Sequence, residues 1–240
     1  MKLALVLLVA CASPQRPVLA MISANAEWKA LLATLHDPRT ADTPYGEWLV
    51  HRFGARDVIF FHGGYGKVAA AGSTQYAITR WHPRLLVNLG TCGGFGGTRK
   101  VGDVVLASQT VIYDLIEQMG DADETIRDYS TTLDTSPWPP RLRARVAIEP
   151  LVSADRDLVA TEVAALATKY HAGAGDWESG AIAWTAHKNA TPVLILRQVT
   201  DVVDAGAKDA VYGDEAAWQK ATIAAMASLV ELFATALPDL

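Results

Sequence analysis

Six short apolar runs limit what this chain can fold into: Val18–Ser23, Val58–His62, Leu85–Leu89, Val104–Ala107, Val146–Ser153 and Val193–Val199. Each is strand length, and several break directly into glycine or small polar residues. Between them lie stretches compatible with helix, at Ala26–Leu35, Lys67–Trp81, Leu158–Tyr170, Glu178–Lys188 and Asp214–Leu237. Strand and helix taking turns is the pattern of an α/β domain, in which helices cover both faces of a largely parallel or mixed sheet. Pro83 ends the second helix, because a proline cannot continue a helical hydrogen-bond ladder. With 240 residues, half of them hydrophobic, the chain can bury one sizeable core, so a single domain over residues 17–240 is expected.

Charge and cysteine content remove several classes of function. The 26 acidic residues outnumber the 21 basic ones, leaving no bulk positive surface for a nucleic-acid backbone. The two cysteines, Cys11 and Cys92, cannot staple a fold, and neither has the spacing of a zinc ligand. No stretch of about 18 apolar residues occurs that would cross a bilayer.

The first 16 residues stand apart. Lys2 precedes the apolar run Leu3–Ala10, and Leu8-Val9-Ala10-Cys11 is similar to a bacterial lipobox, whose cysteine would be lipidated. A retained buried strand is the alternative. Lipidation of Cys11 would anchor the protein at the cell envelope, and retention of the segment would leave it cytoplasmic. Residues 114–145 are polar, with a Ser136-Pro137-Trp138-Pro139-Pro140 cluster, and are expected to form a long surface excursion, of the kind used as lids or partner contacts.

Open α/β sheets place ligands where strands end, since that rim is concave and rigidly backed. Four such places carry polar residues: Glu27 after the first run, the Gly90–Gly94 turn, Asp176-Trp177-Glu178, and Thr200-Asp201 after the last run. Each also has a plainer explanation. Glu27 suits the positive end of a helix, glycines suit tight turns, Asp201 suits a helix cap, and Trp177 suits a core. Neither a dinucleotide fingerprint nor a P-loop is present, so no cofactor is implied.

Taken together, Gly64-Tyr65-Gly66-Lys67-Val68, Val87-Asn88-Leu89-Gly90-Thr91-Cys92-Gly93-Gly94, Val101-Gly102-Asp103, Asp176-Trp177-Glu178-Ser179-Gly180-Ala181 and Arg197-Gln198-Val199-Thr200-Asp201 resemble the nucleoside phosphorylase superfamily. The closest resemblance is to its methylthioadenosine/S-adenosylhomocysteine nucleosidases, and it runs from Pro17 to Leu240. It implies a three-layer α/β/α sandwich with a mixed central sheet, acting on a purine nucleoside without metal or organic cofactor, commonly as a homodimer. Residues 114–140 would supply the partner contact.

The resemblance also assigns roles. Glu27 would be the general base that activates water, Glu178 would accept hydrogen bonds from the ribose hydroxyls, and Asp201 would protonate the purine at N7. Trp177 would line the sugar. Thr91 would face the ribose or the water, with Gly93 in the same turn and Thr200 beside Asp201 as further substrate contacts; from its position in the loop before the last helix, rather than from the resemblance, Tyr212 is expected to close the 5′ side. The chemistry is consistent: glycosidic cleavage builds positive charge on the sugar and negative charge on the base, and these groups stabilise both.

Phosphorylases of the superfamily carry a phosphate-gripping arginine just before the glycine turn, whereas this chain has Asn88 there. Arg84 and Arg99, which flank the turn, read as surface residues. Hydrolysis is therefore expected, with a phosphorylase and a non-catalytic nucleoside binder as rivals. The phenylalanine that stacks on adenine in the nucleosidases is missing from Ala154-Asp155-Arg156-Asp157-Leu158, and Trp28 and Trp177 are bulkier than usual, which leaves the base and the 5′ substituent open.

Overall fold

The computed structural model describes residues 16–206 and 214–240. Tyr212, Cys11 and the apolar run before Cys11 lie outside them. The strands, in chain order, are β1 (Val18–Ile22), β2 (Ala41–Asp42), β3 (Glu47–Phe53), β4 (Arg56–His62), β5 (Leu85–Phe95), β6 (Val104–Ile112), β7 (Ser130–Thr132), β8 (Ala147–Ser153), β9 (Ala174–Asp176) and β10 (Val193–Val203). The helices are α1 (Asn25–Thr34), α2 (Lys67–Trp81), α3 (Ala122–Asp128), α4 (Val163–Tyr170), α5 (Ser179–Lys188) and α6 (Glu215–Ala236).

All ten strands join one mixed sheet in the order β10-β6-β8-β9-β5-β1-β4-β3-β2, with β7 added beside β6. β10 also pairs with β5, so one half of the sheet curls into a closed ring while β1, β4, β3 and β2 extend from it. β5 runs parallel to both β1 and β10, at the centre of the sheet. Its inner strands are buried on both faces, and successive residues serve opposite layers. In β1, Val18, Ala20 and Ile22 pack against α1 and α6 through Leu31, Leu229 and Phe233. Leu19 and Met21 face the other way, toward Ala70 and Ile78 of α2 and Ile182 of α5. These are the three layers expected. The longest helix, α6, places Leu229, Val230 and Phe233 in this core.

Several boundaries differ from the sequence reading, each for a physical reason. Gly90–Gly94 is not a turn: β5 continues through it to Phe95. Thr200 and Asp201 do not follow the last strand but belong to β10, and Asp201 caps none of the helices among the described residues. The register of β10 against β5 shifts between Val199↔Cys92 and Asp201↔Gly93, a bulge that leaves Thr200 as the extra residue. The helix expected from Leu158 starts at Val163. The β2–β3 hairpin has no signal in the apolar pattern because Glu47–Phe53, one strand in from the sheet edge, is half-exposed and lacks a continuous apolar run. Residues 114–145 hold α3, β7 and a 3₁₀ turn at Pro140–Arg145, and Trp138 within them is fully buried rather than on the surface.

Candidate active site

A cleft of about 1060 Å³ opens at the carboxyl ends of β1, β5 and β10, between the first turns of α1 and α6. Glu27, Thr91, Gly93, Trp177, Glu178, Thr200 and Asp201 all line it. Its volume is at the upper end of what small-molecule sites occupy.

Glu27 stands in the first turn of α1 and is buried. Its Oε2 accepts the Ala24 N–H at 3.1 Å, closing the helix start, while Oε1 accepts the Thr91 N–H at 2.6 Å and the Thr91 hydroxyl at 2.9 Å. One carboxylate oxygen thus serves the helix start and the other reaches the central strand at the cleft.

Beneath Glu27 and Glu178 lies Arg197, with 0% of its surface exposed. Its Nη2 donates to Asn88 Oδ1 at 2.6 Å and its Nε to Ser179 Oγ at 3.0 Å; Nε also stands 2.7 Å from Asp176 Oδ2. Asp176 is itself held by the Ser153 and Ser179 hydroxyls. The guanidinium fits because residue 90 is glycine: a Cβ there would stand 1.7 Å from Arg197 Nη1. Nη1 has no hydrogen-bond partner among the described residues.

Glu178 precedes α5, with Oε1 accepting the Gly66 N–H at 3.1 Å and Oε2 3.7 Å from Arg197 Nη2. Burial pushes its carboxyl up to about 8, with Asp176 and Glu27 adding to the rise and Arg197 and the Gly66 N–H opposing it. Asp201 enters across the cleft from the β10 bulge, its Oδ1 accepting the Thr200 hydroxyl at 2.8 Å. Trp177 meets the Tyr65 ring edge to face at 6.3 Å. Both rings line the cleft.

Four other residues fall differently from the sequence reading. Trp28 does not reshape the pocket: it is buried, stacks on His62 at 5.4 Å and donates its indole N–H to Glu47 at 2.7 Å. Arg84 and Arg99 are anchored rather than loose on the surface, Arg84 by the Leu240 carbonyl at 2.7 Å and Arg99 by an ion pair with Glu149. In the loop where the nucleosidases' aromatic stacker is expected, Leu158 turns into the cleft and packs against the positions of Gly93 and Gly175.

Arg197, Asp176 and Ser179 lie within the sequence motifs but take no role from them. A charged residue inside the apolar run Val193–Val199 was the available signal, since a lone arginine in a core strand demands buried partners.

A family model described as "Phosphorylase superfamily" matches residues 8–235. The chain belongs to the phosphorylase superfamily. Among similar curated superfamily members, a 5′-methylthioadenosine/S-adenosylhomocysteine nucleosidase of Bacillus subtilis (strain 168) is 27% identical over 208 residues, covering 77% of this chain and 85% of that one. One of the same name from Marinomonas sp. (strain MWYL1) is 35% identical over 99 residues, 41% of this chain and 43% of that one. The fold matches the Campylobacter jejuni nucleosidase of that name with a TM-score of 0.75 at 17% identity, over 94% of this chain and all (100%) of the other. The Neisseria meningitidis enzyme, solved in complex with methylthio-immucillin-A, gives 0.72 at 22% identity, over 94% and 100%.

Proposed function

We propose that this superfamily member hydrolyses the N-glycosidic bond of a purine nucleoside of the methylthioadenosine/S-adenosylhomocysteine type, releasing the free base and the ribose moiety. The observation that carries the reading is the convergence of three carboxylates, Glu27, Glu178 and Asp201, on one cleft, with a buried guanidinium beneath two of them. The names of the curated relatives support the substrate class.

In this reading each group takes one step. Water attacks C1′ of the ribose as the bond to N9 breaks; Glu27 takes the proton from that water and Asp201 gives one to N7 of the departing purine. Each transfer is worth roughly 10²- to 10⁴-fold. Glu178 holds the sugar hydroxyls, and with Glu27 it faces the positive charge that develops on the sugar only in the transition state. Thr91 orients Glu27 through two hydrogen bonds. Leu158 supplies an apolar contact for the base, and the Tyr65–Trp177 corner lies beside the sugar carboxylate.

Hydrolysis rather than phosphorolysis is favoured by Asn88. Both ends of its amide are engaged beneath the cleft, donating to the Met21 carbonyl at 3.0 Å and accepting from Arg197 at 2.6 Å. Position 88 thus carries a neutral amide where a phosphorylase would carry the phosphate-gripping arginine. A homodimer is part of the same reading. Tyr65, Val68, Ile116 and Met119 are exposed apolar side chains, and the last two belong to the excursion that starts beside the cleft at Asp114.

The deciding experiment measures base release from methylthioadenosine, S-adenosylhomocysteine, adenosine and inosine, with and without phosphate, and identifies the sugar product. Free ribose moiety formed equally in both conditions is the expected result. Ribose 1-phosphate formed only with phosphate would make the protein a phosphorylase, and no release from any nucleoside would make it a binder.

A further inference from the structure

Gly66 and Lys67 open α2, and their two consecutive N–H groups diverge. The Gly66 N–H goes to Glu178 Oε1 at 3.1 Å, and the Lys67 N–H to Asp155 Oδ1 at 2.7 Å. Gly66 is at φ +82°, a left-handed conformation that lets adjacent amides point apart, and a Cβ there would stand 3.3 Å from Asp155 Oδ1. Asp155, in the loop after β8, donates its own N–H to Asp114 Oδ2 at 3.0 Å. Asp114, just past β6, is ion-paired with Lys67 Nζ, which also stands 3.9 Å from Asp155 Oδ2. Three loops, after β4, β6 and β8, are therefore tied at one point. With side chains 20% and 18% exposed, Lys67 and Asp114 are shielded enough for their pairing to outweigh an open surface pair.

We propose that Asp155, clamped by Lys67 and Asp114, is a positioning residue: it fixes the start of α2 so that the Gly66 N–H holds Glu178 in place for the substrate's sugar hydroxyls. This rests on the reading of Glu178 as the sugar carboxylate. Asp155 itself touches no reacting atom. It decides where a backbone donor points, and that donor fixes one oxygen of a carboxylate that, among the described residues, otherwise has Arg197 at 3.7 Å beneath it.

The test compares Asp155→Asn, which removes the charge but keeps an acceptor for the Lys67 N–H, with Asp155→Ala, which removes both. Each is assayed on methylthioadenosine and on its 3′-deoxy analogue. In Asp155→Ala the preference in kcat/KM for the hydroxylated substrate is expected to shrink by about tenfold, the worth of one hydrogen bond to a charged group, while Asp155→Asn keeps it. Asp155→Ser, a shorter acceptor, is expected to fall between the two, and it serves if the alanine variant fails to fold.

A second readout needs no substrate: the Glu178 carboxyl is titrated by NMR in the ¹³C-Glu-labelled protein, with Glu178→Gln for assignment. Its midpoint is expected to be higher in Asp155→Ala than in Asp155→Asn, since a lost N–H donor disfavours the carboxylate. Equal rate losses on both substrates, or coincident titrations of the two variants, would overturn the proposal. If the wild-type protein releases no base at all, the functional reading fails and the titration alone decides the clamp.

Discussion

Gly90→Ala should be among the most disruptive single-methyl additions in this protein. The new Cβ would lie 1.7 Å from Arg197 Nη1, 3.0 Å from Arg197 Cζ and 2.8 Å from Glu27 Oε1. Ordinary contact starts near 3.5 Å, so the guanidinium or the strand must retreat by roughly 1.5–2 Å. Arg197 cannot retreat freely, because Asn88 at 2.6 Å, Ser179 at 3.0 Å and Asp176 at 2.7 Å hold it with no exposed surface. Hydrogen bonds to charged groups are worth about 1.5–3 kcal/mol each, so losing two costs about 3–6 kcal/mol. Domains are stable by only about 5–15 kcal/mol. At about 2–4 °C per kcal/mol for a chain of this size, the melting temperature should fall by about 6 °C or more. Thermal and urea unfolding of Gly90→Ala beside Gly120→Ala measures this. Residue 120 is the control because its nearest neighbour is a Glu117 side-chain carbon 3.6 Å away, and a change there should stay within about 0.5 kcal/mol. A Gly90→Ala protein that melts within about 2 °C of wild type with unchanged turnover would refute the packing of Arg197 over residue 90.

Three further outcomes are expected. Asp201→Asn should fold normally and lose roughly 10²- to 10⁴-fold in kcat for base release; a variant with wild-type turnover would remove Asp201 from the reaction. Arg197→Leu leaves Asp176 buried without its cation and should cost about 3–5 kcal/mol by urea unfolding, and a loss under about 1 kcal/mol would show that the Arg197–Asp176 pair does not hold this region together. Because the folded Glu178 carboxyl is raised to about 8 from an ordinary 4.5, it binds its proton more tightly in the native state than in the unfolded chain. Its contribution is fully present below about pH 4.5 and is lost as pH rises through about 8, so unfolding free energy should decline over that window. Glu178→Gln should flatten that decline, and parallel slopes for the two proteins would contradict the assignment.

The layers of this fold were legible because β1, β4, β5 and β10 are continuous apolar runs, and such runs read as doubly covered strands whatever their neighbours are. The glycines of β5 were misread because glycine has two uses. At residue 90 it permits close approach of a side chain rather than a change of chain direction, and the cause, Arg197, is 107 positions away in sequence and adjacent only through the β5–β10 pairing. Glu27, Thr91, Glu178 and Asp201 were each locatable as polar residues at strand ends. Their common ground was not, since Asp176, Ser153, Ser179 and Asn88 act by holding a cation that local pattern cannot see. Trp28 misled for the opposite reason: proximity to Glu27 in sequence suggested the pocket, but one step along a helix is a turn of about 100° and carried the ring to His62.

The bulge at Thr200 gives β10 one place where it can lose length without losing register. Removing that one codon would let the ladder to β5 close up with Val199 still opposite Cys92 and Asp201 still opposite Gly93, so the acid would keep its face and lose only the local kink of the bulge. Removing any one of Leu194–Gln198 instead would shift Arg197 and its neighbours by one position and exchange their faces. A library of random single-residue deletions should therefore show survivors at position 200 and a gap over the five residues before Val199.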